Sequence, residues 1–331
     1  MPIRRILGSR GTPEHFVAAA LFGMALCIAL FSDNLFLQDA VILTLMWAGL
    51  ASAWNIAGGS AGQISLGHAA FFGLGAYTST LIKIHLGWSP WIGMLCGGML
   101  VVLVSGFIAF AATRLRGPSF ALLTLAFAAV VQIIAARWYA FTRGNEGIAI
   151  AFQPGLENFI FTDKLSWTIV IIVYVLVLYS IGVWSARSRF GFQLAGMRED
   201  EDAAQAIGID TRMLKVATIA ASAFFTALGG TFYAQYVGFL DPGYVLSVDL
   251  SVKFALMCII GGLGTPLGPI LGAILITALE MYLRAKWGGA RSGLYLMVYG
   301  VLLILIVRLM PEGLVRGIPK WFKGRRRTRA A

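Results

Sequence analysis

Trp91-Ile-Gly-Met-Leu-Cys-Gly-Gly-Met-Leu-Val-Val-Leu-Val-Ser-Gly-Phe-Ile-Ala-Phe-Ala-Ala-Thr113 runs for 23 residues without one charged side chain. A helix needs about 20 such residues to cross the hydrocarbon layer of a bilayer. Comparable uncharged stretches lie at Phe16–Phe31, Ala40–Ala57, Ser166–Ser185 and Gly293–Val307. They explain the composition: 59% of the chain is apolar and 12% charged, against roughly 45–50% and about 25% in an average soluble domain. The chain reads as an all-α polytopic membrane protein. This excludes a soluble enzyme, a disordered chain, a disulfide scaffold and an outer-membrane barrel, whose signature is short alternating segments.

About ten crossings are expected, near 16–32, 40–57, 63–82, 91–113, 118–136, 166–185, 215–236, 248–263, 267–283 and 293–309. The net charge of +11 is a topology signal, because basic residues collect in cytoplasmic loops. With the N-terminus inside, 18 basic residues fall on the inner side and 8 on the outer. Both termini are therefore expected in the cytoplasm. The parts are a short segment 1–15, a single transmembrane domain 16–310 with a cytoplasmic loop at 186–214, and a basic tail 311–331, suited to anionic lipid headgroups. Arg4, Arg5 and Arg10 before an apolar run resemble a signal peptide, but no A-x-A-like site follows, so an uncleaved first helix is expected.

Three segments depart from simple spans. In Asn55–Tyr77, the small residues Ala61, Ser65, Ala69 and Gly73 recur every four positions, as do Gly58 and Gly62, a pattern that lets helix backbones approach closely. Asn55, Gln63, Ser65 and His68 add polar groups that must face protein or water. Tight packing and the lining of a polar path both fit, and the two are compatible. In Gly261-Gly-Leu-Gly-Thr-Pro-Leu-Gly-Pro269 the glycines and prolines make a poor helix, so the chain should break there, as two short helices or a re-entrant pair. A second ladder, Gly264, Gly268 and Gly272, accompanies the break, with Thr265 between. Interrupted segments in both halves of a transporter point to its pathway, and make helices 2–5 and 7–10 the expected inverted repeats. The third segment, Arg198–Asp210, is a compact helical stretch with acidic residues in its first turn and Gly208 as its stop. A charged helix between two spans has no core of its own, so it reads as a docking element for a cytosolic partner rather than a solvated linker.

Gly-Gln-Ile-Ser-Leu-Gly-His-Ala at 62–69 with Gly-Ala-Tyr at 75–77, Glu-Asp-Ala-Ala…Ile-Gly-Ile at 201–209, and the 261–269 block occur in that order. Together they resemble LivM-type permeases of branched-chain amino acid ABC importers, over about Ala40 to Leu314. The resemblance implies a type II ABC importer-like permease in the bacterial inner membrane, forming half of a translocation pore. Its implied partners are a sister LivH-type permease, two cytosolic ABC ATPase subunits and a periplasmic substrate-binding protein. By the same similarity Glu201, Ala203, Ala204 and Gly208, after Arg198, match the loop that couples to the ATPase. Asn55, Gly62, Gln63, Ser65, His68, Gly264 and Thr265 are the candidates for path or gate. Relatives show Thr-Gly-Gly-x-x-Gly in the outer loop, where this chain has Thr142-Arg-Gly-Asn-Glu-Gly147, so Arg143 stands in place of a glycine. Related permeases carry urea, amides or aromatic acids, which are alternative solutes here.

No G-x-x-x-x-G-K-[ST] phosphate loop occurs, so energy must come from another chain or an ion gradient. The span interiors lack acidic and basic residues, with Lys83, Lys253 and Glu280 near span ends, which disfavours an ion-coupled carrier. No enzyme activity, cofactor or metal site is expected: His15, His68 and His85 are far apart, and Ser65 with His68 lacks an acidic partner in its helix. Cys27, Cys96 and Cys258 read as buried small hydrophobes, and Trp88, Trp91, Trp138, Trp167 and Trp184 as interfacial anchors. Nucleic-acid binding has no fold to support it.

Overall fold

The computed structural model describes residues 11–113, 115–287, 292–309 and 313–315. Arg4, Arg5, Arg10, Arg114, Trp321 and the tail from residue 316 lie outside the described residues. The main helices are α1 (Gly11–Phe31), α2 (Leu35–Asn55), α3 (His68–Leu86), α4 (Pro90–Ala111), α5 (Pro118–Arg137), α6 (Lys164–Arg187), α7 (Arg189–Glu199), α8 (Glu201–Ala206), α9 (Thr211–Val237), α10 (Val248–Gly261), α11 (Gly268–Trp287) and α12 (Ser292–Leu309). Strands β1 (Ile148–Ala149) and β2 (Phe239–Leu240) form one short antiparallel pair.

Helix ends follow local chemistry. Asn34 caps α2 by accepting from the amides of Phe36 and Leu37. Ser89 caps α4, with Pro90 in the first turn where its missing N–H costs nothing. Asp163 and Asp210 cap α6 and α9, and left-handed Gly87 and Gly238 close α3 and α9.

The packing is reciprocal. The first helix of the second half, α9, packs most extensively on α3 and α4, the second and third of the first half. In return α2 packs on α11 and α10, while α3–α4 and α10–α11 pair within their halves. Helix α2 ends where α9 begins: Ala57, just beyond α2, lies in one apolar cluster with Ile219 of α9. The two halves thus run in opposite directions. Close backbone approaches hold these pairs. A Cβ at Gly230 of α9 would sit 2.1 Å from the Phe72 carbonyl oxygen, and one at Gly272 of α11 would sit 1.8 Å from that of Met257.

Several expectations need correction. At the third expected crossing, 63–82, the helix covers 68–86 instead. Helix α2 widens into a π-helical turn at Ile56–Ser60, and the chain then runs irregularly to Gly67. Ala61 and Ser65 therefore do not share a helix face with Ala69 and Gly73, and Gly58 and Gly62 form no helical GxxxG pair. The second ladder is broken likewise, because Gly264 lies in the loop between α10 and α11. That loop resolves the ambiguity at 247–283 in favour of two helices. Among the described residues seven helices are long and apolar enough to cross a membrane by themselves, and α3, α10 and α12 occupy the other three of the ten expected positions. The 14-residue α10 spans only about 21 Å, and α3 carries Ser79 and Thr80, buried inside the bundle where it need not be apolar all round. Trp167 is no interfacial anchor; it is buried in an aromatic cluster with Phe159, Phe232 and Tyr236. Cys27 and Cys96 are exposed on the chain's outer surface, and only Cys258 is buried.

Replacing Gly272 or Gly230 by alanine should lower stability by about 1–3 kcal/mol through overpacking. Gly106→Ala, with open space around its Cβ, should be neutral or slightly stabilising. Thermal unfolding of the purified protein checks this, and a Gly272→Ala variant melting with the native protein would contradict the close approach.

Candidate coupling and gating site

The irregular segment after α2 is held by side chains from four other places. The Trp54 indole donates to the Ser65 carbonyl at 2.8 Å. Thr124 of α5 accepts from the Leu66 amide at 3.0 Å, and Ser251 of α10 accepts from the Ala69 amide at 2.8 Å. His68 is fully buried between two hydroxyls. Ser222 of α9 donates to the Ala53 carbonyl at 2.7 Å, so it can only accept from His68 Nε2, also at 2.7 Å. The proton thus sits on Nε2, and Nδ1 accepts from Ser65 Oγ at 3.0 Å. Both imidazole nitrogens are engaged, leaving none for a metal or a substrate. Ser65 and His68 lock the start of α3 and line no open path in this conformation.

Asn55 joins the two breaks. Its Oδ1 accepts from the Gly264 amide at 3.0 Å and its Nδ2 donates to the Thr265 carbonyl at 3.1 Å. Thr265 Oγ1 donates to the Gly262 carbonyl and accepts from the Gly268 amide, capping α11. Arg198, near the end of α7, reaches across both breaks: its Nη1 donates to the Gly59 carbonyl at 2.9 Å. A Cβ at Gly62 would lie 2.6 Å from Arg198 Cγ, and one at Gly264 2.8 Å from Arg198 Nη1. Both glycines have positive φ, 70° and 71°, so they supply conformation as well as room. Asn55, Gly62, Gly264, Thr265 and Arg198, picked out from separate parts of the chain, are one cluster.

The loop between α6 and α9 folds as two helices rather than one, because Asp200 breaks the chain and caps α8 through the amides of Asp202 and Ala203. Gly208, at φ 87°, ends the turn. Arg116 binds Asp202 through two bonds of 2.7 and 2.8 Å and Glu201 at 3.2 Å. Lys215 pairs with Glu201 at 2.7 Å. Glu201 is therefore turned inward, tying α8 to the loop before α5 and to the start of α9. Ala204 is buried, Ala203 and Gly208 are exposed, and Ile207 is 78% exposed. A cavity of about 250 Å³ separates this loop from the first break, lined by Gln63, Arg116, Arg198, Glu201 and Lys215 among others. Neither amide atom of Gln63 has a hydrogen-bond partner among the described residues.

Reading the sequence missed Ser222, Thr124 and Ser251, each a hydroxyl in an otherwise apolar helix, and the Arg116 and Lys215 partners of Glu201. Polar residues inside apolar runs were the available signal. In the outer loop Arg143 adopts φ 56°, a left-handed conformation that favours glycine.

Residues 36–307 match the family described as the branched-chain amino acid transport system permease component. The chain belongs to this family. It is accordingly a multi-pass membrane permease and not an enzyme. The high-affinity branched-chain amino acid permease protein LivM of Escherichia coli K12 is 26% identical over 300 residues, covering 84% of this permease and 69% of the relative. LivH of the same strain is 24% identical over 301 residues, covering 84% and 93%. A probable LivM of Methanocaldococcus jannaschii is 23% identical over 325 residues, again covering 84% and 93%.

Asn55→Leu leaves the half-buried Gly264 amide and the buried Thr265 carbonyl without this partner and should destabilise the permease by about 1–3 kcal/mol, measured as a fall in unfolding temperature. Arg143→Gly should gain about 1 kcal/mol by relieving the left-handed backbone. The Asp202 carboxyl is held below its usual range by the Arg116 hydrogen bond and charge. Its folded pKa is lowered, so its contribution is complete above the unfolded value near 3.9 and fades as pH falls through the folded one. An Asp202→Asn variant should differ from the native protein equally at pH 6 and pH 8, and a difference that grows between them would contradict the pairing.

Proposed function

We propose that this permease forms one half of the translocation pore of an ABC importer for branched-chain amino acids, in the bacterial inner membrane with both termini cytoplasmic. A sister permease supplies the other half, two cytosolic ATPases drive it, and a periplasmic binding protein delivers the solute. Family membership and the names of the relatives, branched-chain amino acid permeases, support the solute class. Within the chain, the reading rests on the single contact of Arg198 with both breaks.

The ATPases grip α7 and α8 at the exposed surface around Ala203, Ile207 and Gly208. Their closure displaces α7, and Arg198 carries that displacement to Gly59 and Gly264 together. Asn55 keeps the two breaks moving as one, so the halves rock about 59–67 and 262–267. The clamp of Arg116 and Lys215 on Glu201 makes α8 rigid enough to transmit force. Ser65 and His68 hold α3 during this motion rather than touching solute, so Ser65→Leu should impair assembly before it blocks transport.

In proteoliposomes carrying the whole importer, Arg198→Ala should cut ATP-driven leucine uptake at least about tenfold, equivalent to roughly 1.4 kcal/mol, while ATP hydrolysis continues. Gly208→Trp, forced into a left-handed backbone, should uncouple in the same way. Native uptake by both variants would remove the loop from the mechanism. Uptake that collapses under an ionophore but survives ATP depletion would replace the proposal with an ion-coupled carrier.

A further inference from the structure

On the face opposite α7 and α8, a cavity of about 200 Å³ lies between the ends of α3 and α9 under the loop 150–160. Its lining combines Thr80 and Lys83 of α3, Gln235 of α9 and Asn158 of the loop with Ile84, Ile150 and Ile160. Thr80 and Gln235 are 1% and 4% exposed, and Thr80 Oγ1 and Gln235 Nε2 have no hydrogen-bond partner among the described residues. Unpartnered buried polar atoms of this kind are uncommon in folded proteins and call for a ligand or water. Lys83 donates to Asn158 Oδ1 and forms no salt bridge with a carboxylate among the described residues. Ala151 and Gln153 complete the lining. Small-solute sites have this composition, apolar walls with a few convergent polar groups.

We propose that this cavity is a solute-binding site on the outer side of the permease, which takes the carboxylate of a small aliphatic amino acid. The Lys83 ammonium, the Thr80 hydroxyl and the Gln235 amide offer the carboxylate donors, and Ile84, Ile150 and Ile160 receive the hydrocarbon side chain. The volume corresponds to about seven waters of liquid, which is room for a single amino acid. The proposal rests on the importer reading above, and adds a waiting place for solute inside the permease itself. The loop 150–160 is tied down on both sides of the cavity. The Trp91 indole donates to the Leu156 carbonyl at 2.8 Å, Ser89 donates to the Glu157 carbonyl, and Ile150 extends the β1–β2 pair by donating to the Gly238 carbonyl at 2.8 Å. The site therefore lies under a pinned loop and needs no loop motion to form.

The test measures equilibrium binding of tritiated L-leucine to the complete permease–ATPase complex in nanodiscs, without binding protein. 3-Methylbutanoate, which keeps the carboxylate, should compete; isopentylamine, which lacks it, should not. Lys83→Met and Gln235→Leu should each weaken binding at least about tenfold, and Lys83→Arg should restore it to within about threefold, with unfolding temperatures confirming that all three variants fold. Absence of leucine binding by the native complex, or binding indifferent to Lys83→Met and Gln235→Leu, would overturn the site. ATP-driven leucine uptake measured on the same preparation with binding protein added separates the two readings. Uptake without such binding removes this site and leaves the importer standing, whereas no uptake removes the importer reading itself.

Discussion

A backbone that leaves its helix inside a bilayer exposes amides and carbonyls that hydrocarbon cannot satisfy. This chain leaves its helices twice within the helical bundle, and the Asn55 carboxamide serves the second break from beside the first. It accepts from the Gly264 amide and donates to the Thr265 carbonyl, so neither break is complete without the other half of the protein. The Gly59 carbonyl, freed by the π-helical turn, is satisfied by Arg198 from outside the membrane domain. The charged loop between α6 and α9 is thereby bonded to the place where the helices are interrupted.

The reciprocal packing places these breaks correctly. Because α2 inserts against α10 and α11 while α9 inserts against α3 and α4, both breaks come to the same end of the bundle, under α7. The opposite end is stiffened differently, by the stacked aromatic cluster around Phe159 and Trp167 and by the Lys164–Asp39–Tyr236 contacts. The proposed rocking would need one firm end and one adjustable end, and the polar contacts divide in that sense.

The spans were legible in the sequence because a charge-free run of 20 residues has few other uses, and so was the break at 261–269, where two prolines and four glycines exclude a helix. The stretch 61–67 was not. Its small residues keep a helical period, yet the backbone leaves the helix because Ser65, Trp54 and Thr124 satisfy it along an irregular path, and the last of these, 58 residues away, leaves no local trace. Arg198 stood out in the sequence within a charged helical loop, but its reach to Gly59 depends on how α7 folds back beneath α2. The inward turn of Glu201 and the burial of Trp167 were hidden for the same reason, since a charge or an indole near a span end looks alike whether it meets solvent or protein.

The central claim is that Arg198 and Asn55 make the two breaks one mechanical unit. Amide hydrogen exchange on the assembled transporter, followed by mass spectrometry of peptides covering 56–67 and 261–268, tests it most directly. In an Arg198→Ala variant both peptides should lose protection together, by about tenfold or more, although Arg198 bonds only the first. Loss confined to 56–67, or no loss in either, would contradict the account.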